Sequence, residues 1–267
     1  FVNQYRYLSL ASKQTAEAMQ RAQYQRVVYD EQKDIKIIKQ DEVETKRYQL
    51  QLEQNNLISQ RKEKNDLLAV TKNDEQKFQD LLRQAETQIS SFRRFIDFQG
   101  GASILQNQTD CDDWGCYYNQ RDSRWGSQAI GNSNSSMAEY GCLVTSMAML
   151  ASHHGKSLDP GQIAASANPF WLSTAYMKLG STWSVNGVSM TRTRIGYNSG
   201  AIDAELNSGR PVIVGIGSGP DHFLVIKSKD GGSYIMRDPF TENGKDIPFT
   251  DKYSISSIST VDRVVVN

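Results

Sequence analysis

From Phe1 to Phe98 the chain is polar and charged with thin apolar stripes, and neither glycine nor proline interrupts it. Near the end of this stretch Phe78, Leu82, Ala85, Ile89, Phe92 and Ile96 alternate spacings of four and three, the a/d seam of a coiled coil. Upstream the seam thins to Tyr5, Leu8, Met19 and Ala22, then Ile35 and Ile38, then Leu50, Leu57 and Leu68. Polar residues between them lower stability and leave the register loosely set. One helix of this length would span about 150 Å with its apolar stripe in water, so the pattern predicts a helical arm that wants a partner. A hairpin on a segment upstream of Phe1, a hairpin within 1–98 and a homodimer all satisfy it. With no breaker at Gln54-Asn55-Asn56, one continuous helix paired with another chain or an upstream helix is favoured.

The pattern then changes. Gln99-Gly100-Gly101-Ala102 ends the helix, and residues 99–115 read as a short polar, aspartate-rich linker. Gly-Gly-Ala also resembles a double-glycine cleavage site, but glycine at a helix end has a steric reason to be there, so a C-cap and hinge is the weightier reading. From 116 to 267, Gly141 to His154 reads as a helix with Leu143, Met147 and Leu150 on one face. Pro211–Ile216, His222–Ile226 and Ser233–Met236 read as strands, and Val264–Val266 closes the sheet. A helix followed by antiparallel strands predicts an α+β domain, and about 150 residues suffice for a core of its own.

Composition draws the same border. All 19 glycines, 6 prolines, 4 tryptophans and 3 histidines lie at or after Gly100. The first 99 residues carry a net charge of +2 and the rest −2, with no basic block, which excludes nucleic-acid phosphates and anionic lipid as electrostatic partners. No apolar run is long enough to span a bilayer. The opening at Phe1, directly in helical sequence, is expected of a fragment whose signal peptide or upstream helix is absent.

Three cysteines occur. Cys111 and Cys116 share a polar segment where a local disulfide closes easily in an oxidising compartment; two free surface thiols or, with less support, a zinc site are the alternatives. Cys142 is left over, and it opens the predicted helix after Tyr140-Gly141. A helix N-terminus favours the thiolate, and Gly141 allows close backbone approach. His222 follows the flexible 217–221 segment at the start of a strand, and Asp238 ends the next strand before Pro239. Adjacent antiparallel strands can bring the two together, with Asp238 fixing the imidazole tautomer while the other nitrogen faces Cys142. Gln120 offers an amide donor upstream. Thiolate, base, orienting carboxylate and oxyanion donors (Gln120 and the Cys142 amide) are what thiol-dependent acyl transfer requires. His153 and His154 are expected to cap the C-terminal end of the helix, and Trp125, Trp171 and Trp183 to pack in the core.

The segments Asn119-Gln-Arg-Asp-x-x-Trp-Gly126, Tyr140-Gly-Cys-Leu-Val-Thr-Ser-Met-Ala-Met-Leu150, Asp221-His-Phe-Leu-Val-Ile226 and Arg237-Asp-Pro239 occur in the order seen in papain-fold cysteine peptidases. The branch resembled is that of bacteriocin-processing peptidases. This implies a papain-like domain over 116–267 with Cys142 as nucleophile, His222 as base, Asp238 as its orienter and Gln120 as oxyanion donor, and no cofactor or metal. Leaders cut after two glycines are the substrates of the best-known members, which are fused to membrane exporters; this chain instead carries an arm. Lys64 to Leu82, with Leu-Leu-x-x-Thr-Lys before Phe-Gln-x-Leu-Leu, resembles the coiled coils of bacterial murein-hydrolase activators, as does the opening Phe1 to Leu8. That resemblance implies an extracytoplasmic setting in the bacterial envelope, a coiled-coil partner such as an upstream helix, a second copy or a membrane division complex, and an arm able to hold its hydrolase inactive. The leading expectation is a cell-wall endopeptidase. A processing peptidase for exported peptides and a catalytically silent peptide- or glycan-binding scaffold stand as alternatives.

Overall fold

The computed structural model of the protein describes residues 2–71 and 75–267. Of the seam residues, the side chains of Tyr5 and Leu68 lie outside the described ones, as do Phe1 and several side chains of the Lys64–Leu82 resemblance. By internal contacts the chain divides into two compact units, 1–58 and 59–267. The first is formed by helix α1 (Val2–Thr71), whose residues from 59 onward belong to the second. In the first unit Leu8, Met19, Ile35, Ile38, Leu50 and Leu57 are all exposed, so the thin seam has no apolar cover among the described residues. No described helix is long and apolar enough to cross a membrane.

The second unit contains helix α2 (Glu75–Phe98), the polar hairpin β1–β2 (Thr109–Asp112, Gly115–Tyr118), and the short helix α3 (Met137–Tyr140). Helices α4 (Cys142–His153) and α5 (Pro160–Ala164) follow, then β3 (Thr182–Val185), β4 (Val188–Gly196) and α6 (Ser199–Leu206). Strands β5 (Val212–Ile216), β6 (His222–Asp230), β7 (Ser233–Arg237), β8 (Ile247–Pro248) and β9 (Ile258–Val266) complete it. Seven strands form an antiparallel sheet in the order β3-β4-β9-β5-β6-β7-β8. The protein is thus α+β, with the helix ahead of the sheet. The last strand does not close the sheet at an edge: β9 lies between β4 and β5.

Two apolar layers flank the sheet. One joins Ile213, Phe223 and Val225 to α4; the other joins Val212, Val214, Leu224 and Ile226 to Ile202 of α6. Residues 142–151 of α4 are all buried, which suits a helix apolar on every side at the centre of a domain. Trp125 and Trp183 are core residues, while Trp171 stays partly exposed with the Lys178 ammonium over its ring.

Helix α2, which the periodicity places in the arm, belongs to this second unit. Its seam found a sheet and a helix rather than a partner helix: Ala85, Phe92 and Ile96 are buried, and Phe92 meets Phe223 of β6 edge to face at 6.0 Å. Gly100 and Gly101, with φ of +80° and +107°, close α2 as a left-handed cap, the Gly101 amide reaching the Ile96 carbonyl.

Candidate active site

Cys142 is the first residue of α4. The short helix α3 ends at Tyr140, and the chain turns through Gly141, whose amide donates to the Met137 carbonyl while its own carbonyl accepts from Thr145. A side chain on Gly141 would overlap that same Met137 carbonyl, so the turn demands glycine. The Cys142 sulfur therefore sits where the partial positive charge of a twelve-residue helix stabilises an anion. Cys142 is buried and is the chain's one free cysteine, because Cys111 and Cys116 are joined in a disulfide.

Strand pairing assembles the base. Arg237 pairs with Val225 in β6–β7, so the next residue, Asp238, arrives beside the start of β6. There the Asp238 Oδ1 accepts from His222 Nε2 at 2.8 Å, which leaves Nδ1 free for Cys142, the other residue that raises the imidazole. Asp238 is fully buried, and its carboxylate also accepts from the Phe240 amide at 2.9 Å, Thr241 Oγ1 at 2.8 Å and Tyr253 Oη at 2.8 Å. Burial alone would push an isolated carboxylate up. The imidazolium and these donors more than offset it and hold Asp238 well below the usual carboxylate range. For His222 burial likewise opposes the charge, yet the Asp238 carboxylate, and after it Cys142, push the imidazole up to about 9. The arrangement stores an imidazolium between a carboxylate and a sulfur.

Gln120 is held by the motif around it. The Asp122 carboxylate, 1% exposed, accepts from the Gln108 amide and the Arg124 amide and guanidinium, and the Trp125 indole donates to the Asn119 carbonyl. The Gln120 amide donates to the carbonyl of Pro239, which ties this turn to the residue after Asp238. The Gln120 side-chain Nε2 gives one hydrogen to the Ala138 carbonyl at 2.8 Å and retains a second. Next to the turn, the disulfide hairpin is anchored by Arg237, fully buried, which donates to Asp112, Asp246 and the Gly115 carbonyl. His153 does not serve as a helix cap. It stacks on Trp114 at 4.3 Å with Nδ1 on the Trp114 carbonyl. His154 does hold the C-cap position, through its backbone amide, while burial lowers the pKa of its side chain, against a positive charge there.

All four residues named from the sequence thus sit in one neighbourhood, built by α4, β6, the end of β7 and the turn at 119–126. Two features had no local signal. Tyr253 comes from the irregular segment after β8 and reaches Asp238 only through the tertiary fold. Phe95 of α2 lies flat on the His222 ring, with centroids 4.3 Å apart and planes within 3°, and meets Phe240 edge to face at 5.3 Å. Around it Ser91 is buried against Gly219, Gln88 Nε2 donates to the Pro220 carbonyl at 2.6 Å, and Arg94 pairs with Asp221 at 3.1 Å. Helix α2 thereby covers one face of the base, and His222 is left 1% exposed and Cys142 3%.

No curated protein shows significant similarity to the chain. The model of the Peptidase_C39 like family matches residues 116–257, a span that holds Gln120, Cys142, His222 and Asp238, and the chain belongs to that family of cysteine peptidases.

Proposed function

We propose that this peptidase works outside the cytoplasm on peptide bonds of the bacterial cell wall, and that helix α2 keeps it latent until it is displaced. The observation that carries the catalytic part is the imidazole of His222 held between Asp238 and Cys142 at the N-terminus of a buried helix. In this reading the Cys142 thiolate attacks the scissile carbonyl carbon. The developing oxyanion takes hydrogen bonds from the Cys142 amide and the free Nε2 hydrogen of Gln120. His222 passes its Nδ1 proton to the leaving amine, which departs and leaves a thioester on Cys142. It then takes a proton from water, the resulting hydroxide equivalent attacks the thioester, and the carboxylic acid product leaves as the sulfur recovers its charge. Asp238 stays ionised throughout and keeps Nε2 protonated.

The disulfide at 111–116 supports an oxidising compartment, and the resemblance of the arm to those of murein-hydrolase activators supports the wall as substrate. Latency rests on Phe95, which occupies the face of His222 that a substrate chain needs. The near-complete burial of Cys142 also favours a second reading, a catalytically silent scaffold that binds peptides or glycan strands. Murein zymography with the wild-type, Phe95→Ala and Cys142→Ala proteins decides between them. Clearing by Phe95→Ala that is lost on adding Cys142→Ala is expected. Clearing that survives without the thiol, or a Cys142 inert to thiol-reactive probes in Phe95→Ala, would end the peptidase reading.

A further inference from the structure

The loop from Gly217 to Asp221 delivers His222 to the site, and Asp221 at its end has no part in the chemistry derived above. The charges that raise His222 come from Asp238 and Cys142. Asp221 is nevertheless held firmly. Its amide donates to the Ile216 carbonyl at 2.6 Å, and its carboxylate folds over Gly217, where a Cβ would overlap it and where φ of +83° already calls for glycine. The turn fixes an anion on the rim of the site, one residue before the base. Among the described residues its one salt-bridge partner is Arg94 of α2, at 3.1 Å, which is also held by Ser91 Oγ at 2.8 Å.

A half-exposed ion pair of this kind adds little to docking of the helix, on the order of 0–1 kcal/mol. What it shows is a cation seated against the loop that delivers the base. Arg94 precedes Phe95, the residue that lies on His222, so α2 places a cation beside Asp221 while its neighbour fills the space over the base. When the helix leaves, Arg94 leaves with it, and a fixed carboxylate faces the emptied cleft without a counter-ion.

We infer that Asp221 is a substrate-binding residue that receives a cationic group, an ammonium or guanidinium, carried by a residue of the peptide close to the scissile bond, with Arg94 as its internal stand-in. The inference rests on the latent-peptidase reading and deepens it by naming a substrate class: peptides bearing a basic side chain near the cleaved bond.

The test uses the full chain in its Phe95→Ala form and two methanethiosulfonate reagents with the same reactive group, one bearing a trimethylammonium and the other a sulfonate. The Cys142 thiolate attacks the reagent sulfur, forms a mixed disulfide and expels methanesulfinate; with Cys111 and Cys116 paired, no other thiol competes. The cation-to-anion rate ratio reads the field that a charged substrate meets. Asp221→Asn is expected to lower that ratio about threefold or more, the size of effect a single carboxylate several ångströms away exerts in a water-filled cleft. Asp221→Ser is expected to lower it as far, and this second arm stands even if Asp221→Asn folds poorly. A ratio unmoved by both substitutions while Cys142 still reacts would overturn the subsite and leave the peptidase reading standing. If Cys142 reacts with neither reagent in Phe95→Ala, the parent reading falls and the subsite with it.

Discussion

Truncating Phe95 to alanine tests latency directly. The ring makes two aromatic contacts, stacked on His222 at 4.3 Å and edge to face with Phe240 at 5.3 Å. Such pairs contribute about 0.5–1.5 kcal/mol each beyond area, and burying part of a phenylalanine adds on the order of 1 kcal/mol. The docked state of α2 should therefore lose about 2–4 kcal/mol relative to the undocked one, in which the ring is in water. Since about 1.4 kcal/mol is tenfold in an equilibrium, the undocked population should rise roughly 30- to 700-fold. Cys142 is the chain's one free thiol, so alkylation by iodoacetamide near pH 6, read by peptide mass spectrometry, reports that population without any knowledge of the substrate. The rate should rise by the same factor in Phe95→Ala. Phe98→Ala, on the same helix but 86% exposed, should leave it unchanged. A Phe95→Ala protein that folds like the wild type and alkylates within twofold of it would refute the claim that α2 controls access.

Three further outcomes are expected. Gly219→Ala would drive a Cβ into Ser91, so it should speed alkylation without touching a catalytic group, and Ser91→Gly added to it should restore the slow rate. Tyr253→Phe removes one donor to a buried carboxylate and should cost about 1.5–3 kcal/mol in urea unfolding at pH 7. Because Asp238 is depressed in the folded state, that stability is present above the ordinary carboxylate pKa and lost only as pH falls through the lower folded value, so wild type and variant should converge only in strong acid. His222 has the opposite sign. Its folded value is raised from 6.5 to about 9, so its contribution is complete below about pH 6.5 and lost as pH rises through about 9. Wild-type stability should fall across that window, His222→Gln should lack that slope, and hydrolysis by Phe95→Ala should decline with loss of the imidazolium.

Local signals singled out candidate residues because three of the four sit at punctuated positions: Cys142 behind a glycine that opens a helix, His222 behind a glycine-rich loop at a strand start, Asp238 before a proline. What was not legible depends on distant contacts. The hairpin β3–β4 did leave a mark, the Val185-Asn-Gly-Val188 turn with both central φ angles positive, which is among the strongest hairpin signals. Helix α6 is short, and its capping Asn198 is easily read as loop. Helix α2 is the instructive case. Its seam at Phe92 and Ile96 fits a coiled coil, but Phe95 between them widens the stripe from two columns to three, and a stripe of that width marks a helix laid on a globular core. Nothing in the sequence says which core, or that the third column ends on His222.

The same face of α2 thus has two claimants under the proposed reading, the peptidase domain and a partner helix, and energetics decide how they share it. Burial of Phe92 and Ile96, at about 1.5–3 kcal/mol each, and the contacts of Phe95 make docking worth on the order of 5 kcal/mol after partial offset by ordering. At about 1.4 kcal/mol per tenfold, fewer than roughly one molecule in a thousand is then open at any time. A substrate present at a hundred times its dissociation constant contributes only about 2.7 kcal/mol, too little to turn the balance alone. Opening therefore requires a partner that covers Phe92 and Ile96 as well as the domain does. Because the exposed stripe of Leu8, Met19, Ile35 and Ile38 is free to be bound first, such a partner need not begin by competing for the buried one.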